Sequence, residues 1–179
     1  MSFRLAGTLF ALALLVGGAA LVVASARAPE LWKRLPRERV VGGALGLMAL
    51  LWSAWLVEPL LEGGLASLRP WLVPVALVVG IAGAFLLDYV LTRALGGLLL
   101  LVVNAIMHLA FVAQAPWRGT VSVVCYALGL AGLFMIGAPY RFRDVLEACC
   151  RSPRARWALG AALGLAGVVT GAIAQAAHG

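Results

Sequence analysis

The chain has 179 residues, 64% hydrophobic and 12% charged, with a mean hydropathy of +1.03. A soluble domain is about 45–50% apolar and about 25% charged, so these charges cannot cover a water-soluble particle. That excludes a soluble enzyme, a disordered tail and a disulfide scaffold, and leaves an all-α integral membrane protein.

A transmembrane helix needs about 20 mostly apolar residues. Six runs have that character: Phe3–Ala26, Val40–Val57, Trp71–Leu87, Ala94–Ala113, Gly119–Ala138 and Trp157–Ala177. None has the alternating period of a barrel strand, and helices satisfy their own backbone in lipid. The expectation is one six-helix transmembrane domain over residues 1–179 with no soluble domain.

The first run carries Arg4, a long apolar stretch and Ala24-Ser25-Ala26, which resembles a signal-peptide cleavage site. Two readings follow, a retained first span or a cleaved leader that inverts all later spans. Retention agrees better with the charge pattern below. The segment Pro29–Arg39 is basic, and Leu31, Trp32 and Leu35 give it an apolar side.

The second run places Gly42, Gly46, Ala49 and Ser53 at i, i+4, i+7, i+11, one stripe of a helix. Beyond it, Glu58 and Glu62 bracket Pro59. Two carboxylates are too few for a Ca²⁺ or Mg²⁺ site, so they read as solvated. The third run is short and reaches Leu91 only if Asp88 and Tyr89 face protein or headgroups. Asp88, Tyr89 and Arg93 surround the next tight turn, as a local ion pair or as a proton or anion relay.

Polar groups inside a membrane are costly, which makes Asn104 and His108 of the fourth run the leading ligand or proton-pathway candidates. At i, i+4 they share a face with Gly97, Leu101 and Phe111. A buried imidazole there can donate to a substrate or quinone carbonyl, shuttle a proton or ligate a metal. The alternative is an interhelical hydrogen bond. Haem is disfavoured, because bis-imidazole ligation needs a second buried histidine and the other, His178, is next to last. No cofactor is specified.

Between the fifth and sixth runs lies Pro139–Arg156, with an apolar side of Phe142, Val145 and Leu146 and adjacent thiols at Cys149 and Cys150. Neighbouring cysteines strain disulfide geometry, so these read as reduced thiols, with soft-metal handling by the vicinal pair as the alternative. In the sixth run Gly160, Gly164, Gly167 and Gly171 form a stripe suited to close packing, on the second span or on a partner subunit.

The positive-inside rule orients the chain. Eleven of the 14 basic residues fall on one side: Arg27, Lys33, Arg34, Arg37, Arg39, Arg93, Arg141, Arg143, Arg151, Arg154 and Arg156. Only Arg4, Arg69 and Arg118 fall on the other. Both termini are therefore expected outside the cytoplasm, in a bacterial inner membrane, with the basic side against anionic headgroups. A net charge of +7 confined to short loops does not imply nucleic acid.

Pro36-Arg37-Glu38-Arg39 before the second run and Pro153-Arg154-Ala155-Arg156 before the sixth hint at an internal repeat. Three parallel two-helix hairpins would follow from it. Chance likeness between Ala/Gly/Leu-rich segments is the alternative. The sequence carries no G-x-S-x-G, H-E-x-x-H, Walker loop, C-x-x-C or clustered Asp/His set for phosphoryl chemistry on lipids. The expected function is a non-catalytic membrane subunit or scaffold, packed on other subunits or on itself through Gly/Ala-rich faces. A small-solute or ion transporter with a pathway past Asn104 and His108 is the alternative, and a lipid- or quinone-active enzyme the third reading.

Overall fold

A computed structural model describes residues 2–28 and 38–177. The expected amphipathic piece around Leu31, Trp32 and Leu35, and His178, lie outside the described residues. Among the described residues seven α-helices follow in order: α1 Phe3–Arg27, α2 Arg39–Val57, α3 Arg69–Leu86, α4 Val90–Val112, α5 Arg118–Gly137, α6 Pro139–Arg151 and α7 Pro153–Ala176. Six of them, all but α6, are the cores of segments long and apolar enough to cross a membrane. The molecule is a polytopic six-helix bundle.

Boundaries shift where local chemistry overrides hydropathy. α3 starts at Arg69, with Pro70 in the first turn where its missing N–H costs nothing, and Pro74 lies inside the helix. It does not run on to Leu91. Leu87 is extended, and Tyr89 is left-handed (φ 56°), so the chain reverses there and α4 begins at Val90. Arg93 is thus inside α4, four residues earlier than the apolar run suggested. Pro153 likewise starts α7 upstream of Trp157 and takes Arg154 and Arg156 into the helix.

In hydrocarbon the hydrophobic effect does not draw helices together; close backbone contact does. The glycines mark where that happens. α1 and α7 run antiparallel as the most extensive pair: a Cβ on Gly7 would lie 2.7 Å from the Cβ of Ala174, and one on Gly18 would lie 3.0 Å from the Gly160 carbonyl. α4 and α5 cross where Gly96 faces the Gly132 carbonyl at 2.7 Å from an added Cβ. α2 lies parallel to α4, with a Cβ on Gly42 falling 2.5 Å from the Leu91 nitrogen, and Gly46 faces Ala94 at 3.6 Å. α3 packs on α2 through Gly80 against Leu47.

These contacts correct the expected partner of the sixth-span stripe. Gly160, Gly167 and Gly171 meet α1, not the second span, while a Cβ on Gly164 would meet nothing within 4 Å. They also leave the three-hairpin scheme incomplete. α2–α3 and α4–α5 are sequential hairpins, but the third pair joins the two ends of the described chain.

The buried core lies toward the end opposite the basic loops. Phe3, Phe10, Val103, Val121, Cys125 and Ile173 meet there, from α1, α4, α5 and α7. Beside it, Arg4 donates twice to the Gln175 Oε1 at 3.1 Å, and the Gln175 Nε2 donates to the Thr8 hydroxyl at 3.2 Å. Residues 24–26 continue α1, with Ser25 buried and its hydroxyl donating to the Leu21 carbonyl. The A-x-A sequence is therefore part of a packed helix.

Gly167→Leu should force α1 and α7 apart, since its Cβ would lie 2.9 Å from the Ala11 carbonyl. Overpacking of this kind costs about 1–3 kcal/mol. Gly164→Leu should unfold like the parent. Thermal melts in detergent, followed by circular dichroism, check both.

Candidate functional site

α4 carries most of the sequence-predicted site residues on two faces. Leu91, Ala94, Val103, Ile106 and Ala110 form the buried face against neighbouring helices. Asn104 and His108 occupy the other face, and both are exposed on the outside of the bundle. The expectation of a buried histidine is corrected here. The face does hold Gly97, Leu101 and Phe111 as the spacing implied, but it points outward, because the larger hydrophobic stripe of α4 turns inward. Neither Asn104 nor His108 has a side-chain hydrogen-bond partner among the described residues.

Their depth matters. α4 has its midpoint at Leu101, so Asn104 lies about 4.5 Å and His108 about 10 Å beyond it along the axis. Both are within the ~15 Å half-thickness of a hydrocarbon core if α4 is centred.

At the start of α4, Asp88 is exposed and makes no ion pair among the described residues, so the expected closure of the turn by Asp88 and Arg93 does not form. Tyr89 engages α6 instead: the Arg143 Nη1 donates to its hydroxyl at 3.3 Å. Arg143 also pairs with Asp144 at 3.2 Å and Glu147 at 3.5 Å. The Asp144 hydrogen bond, then Tyr89, hold the Arg143 guanidinium above its ordinary range. Arg93 is half-buried, and its Nε is buried without a hydrogen-bond partner. The adjacent Thr92 hydroxyl is fully buried and likewise unpartnered.

Hydropathy did not reveal the clefts. α3 packs on α2 but scarcely touches α4, although α4 also packs on α2. A cleft of about 400 Å³ therefore opens between α3 and α4, with α2 as its floor. Gly46 and Ala49 keep the floor low, Gly83 and Leu87 wall one side, Gly97 and Leu101 the other, and Arg93 lines it near the basic end. A second apolar cleft, about 1040 Å³, lies under α6 against α1, α5 and α7.

α6 is the expected amphipathic helix with its inward side rotated. Leu146 and Cys149 are 3% and 1% exposed, whereas Val145 is 43% exposed. Arg156 closes its C-terminal end, its Nε donating to the Cys149 carbonyl at 3.1 Å and its Nη2 to the Cys150 carbonyl at 3.5 Å. Such contacts satisfy carbonyls that a helix end leaves free. On the opposite side of the bundle, Glu58 and Glu62 line an open lip with Arg69, whose Nε donates to the Leu61 carbonyl at 2.9 Å. No group of three or more His, Cys, Asp or Glu comes together among the described residues.

No family model, curated protein or solved structure matches this chain. Its six long apolar helices define it as a helical polytopic membrane protein.

The two adjacent thiols should differ in reactivity. Burial first, and Cys150 second, push the Cys149 thiol above its ordinary pKa, with Arg156 opposing. The thiolate is the nucleophile, so a water-soluble maleimide should modify the half-exposed Cys150 well before Cys149. Peptide mapping by mass spectrometry checks this, and detergent-unfolded chain should lose the difference.

Proposed function

We propose that this protein is a non-catalytic membrane subunit that assembles laterally, docking a helix of a neighbouring membrane protein on the Asn104–His108 face of α4. One observation carries the reading: two hydrogen-bonding side chains at membrane depth point out of the bundle without a partner among the described residues. Polar groups in membrane helices normally face protein or a water-filled cavity. A second helix bearing a polar group would satisfy them.

The partner is either a second copy of this chain or another membrane protein. The glycine stripe of α7 is less suited to docking, because α1 already meets it at Gly160, Gly167 and Gly171. A solute pathway past Asn104 and His108 draws less support, since within one chain these residues line the outside of the bundle rather than a passage.

The basic side is assigned to the cytoplasm of a bacterial inner membrane, with both termini outside. The bias of eleven basic residues to three supports this orientation. Cys150, half-exposed on α6 at the basic end, reports on it. An impermeant maleimide should leave it unmodified in intact spheroplasts and modify it after lysis. Modification before lysis would invert the topology.

Asn104→Leu and His108→Leu should each weaken assembly while leaving the folded bundle intact, because neither side chain supports internal packing. An interhelical hydrogen bond in a bilayer is worth about 0.6 kcal/mol on average, so the double variant should show the clear loss. Purification in mild detergent with light scattering separates self-association from co-purification of another chain. A parent that is monomeric and alone, or a double variant that assembles like the parent, would sink the proposal.

A further inference from the structure

The cleft between α3 and α4 is a site in its own right, separate from the outward face above Leu101. α2 holds both walls while the walls scarcely touch each other, so the cleft is built into the helix order. Its lining is apolar except for Ser53 and Arg93. From Arg93 to Leu101 the α4 wall rises about 12 Å, close to the ~15 Å depth of one leaflet's hydrocarbon.

Arg93 sets the chemistry at the basic end. Its Nε is buried and has no hydrogen-bond partner, and the side chain makes no ion pair among the described residues. The nearest acid along the chain, Asp88, is exposed and does not neutralise it. Arg93 also sits in the first turns of the 23-residue α4, where the helix dipole favours negative charge. An arginine fork next to an apolar slot matches a phosphate next to an acyl chain, since guanidinium binds phosphate through paired charge-assisted hydrogen bonds.

We infer that the α2–α3–α4 cleft binds an anionic phospholipid from the bilayer, with one acyl chain between α3 and α4 and the phosphate on the Arg93 guanidinium. The small floor residues follow from this use. Gly46 and Ala49 keep side-chain volume out of the slot, leaving width for a chain.

The test uses the whole protein reconstituted in vesicles of phosphatidylcholine and phosphatidylglycerol with identical acyl chains. It is then extracted in mild detergent, and retained lipid is quantified by native mass spectrometry. The parent should retain phosphatidylglycerol in preference to phosphatidylcholine. Arg93→Gln should reduce that preference about tenfold, the scale of one charge-assisted hydrogen bond, and Arg93→Lys should keep part of it. Gly83→Leu places a side chain into the slot from the α3 wall, where an added Cβ meets only Leu87 at 3.5 Å. It should lower retention of lipid with Arg93 still present. Equal retention of both lipids by the parent, or unchanged retention in Arg93→Gln or Gly83→Leu folded like the parent by circular dichroism, would overturn the inference. So would loss of the parent's preference on adding inorganic phosphate, which would mark a site for free phosphate rather than for lipid.

Discussion

Helices dissolved in hydrocarbon gain nothing from hiding apolar side chains, so whatever holds this bundle together must act at contact distance. Glycine supplies that contact at each tight crossing. Gly18 against Gly160, Gly96 against Gly132 and Gly42 against Leu91 bring backbones so near that even a methyl group would crowd them. The arrangement of the other helices follows from these few approaches. Two of the crossings join neighbours in a ladder of α2, α4 and α5, and the third closes the two ends of the described chain on each other through α1 and α7.

The same geometry explains why one half of the molecule is denser than the other. Around Phe3, Phe10, Val121 and Ile173 four helices converge, and the side chains fill the space. Toward the basic end α3 leans on α2 alone, α6 lies across the bundle, and apolar clefts remain on either side. Those clefts open where Arg93 and Arg141 stand, so the loosest packing lies at the basic end. A bilayer leaflet offers two things that complement such a surface, acyl chains and phosphates. The proposed lipid site lies in the open half.

Polar side chains fall into two groups once the packing is known. Arg4, Thr8 and Gln175 bind one another across the α1–α7 seam and belong to the fold. Arg143 and Arg156 tie α6 to Tyr89 and to its own last carbonyls. Asn104, His108 and the Arg93 Nε have no such internal use. The proposed assembly face and the proposed lipid site both rest on this remainder, at different depths of one helix.

Much of the architecture was legible in the residues. Apolar runs located all six membrane-crossing helices, because a helix in lipid needs length and hydropathy whatever its neighbours are. The amphipathic Pro139–Arg151 and the i, i+4 relation of Asn104 to His108 were legible for the same reason, being properties of a single helix. What one helix cannot specify is which side of it turns inward. Asn104 and His108 looked buried because polar residues in membrane helices usually face protein, yet the stripe of Val103, Ile106 and Ala110 took the inward position. The glycine stripe of α7 was visible, but its partner was not, since any smooth helix surface can accept it and only the closure of the bundle selected α1. The cleft beside Arg93 had no signature at all, because it is the space left where two helices share a neighbour without meeting. Local periodicity determined the elements; the pairing of surfaces far apart in the chain decided what each element faces.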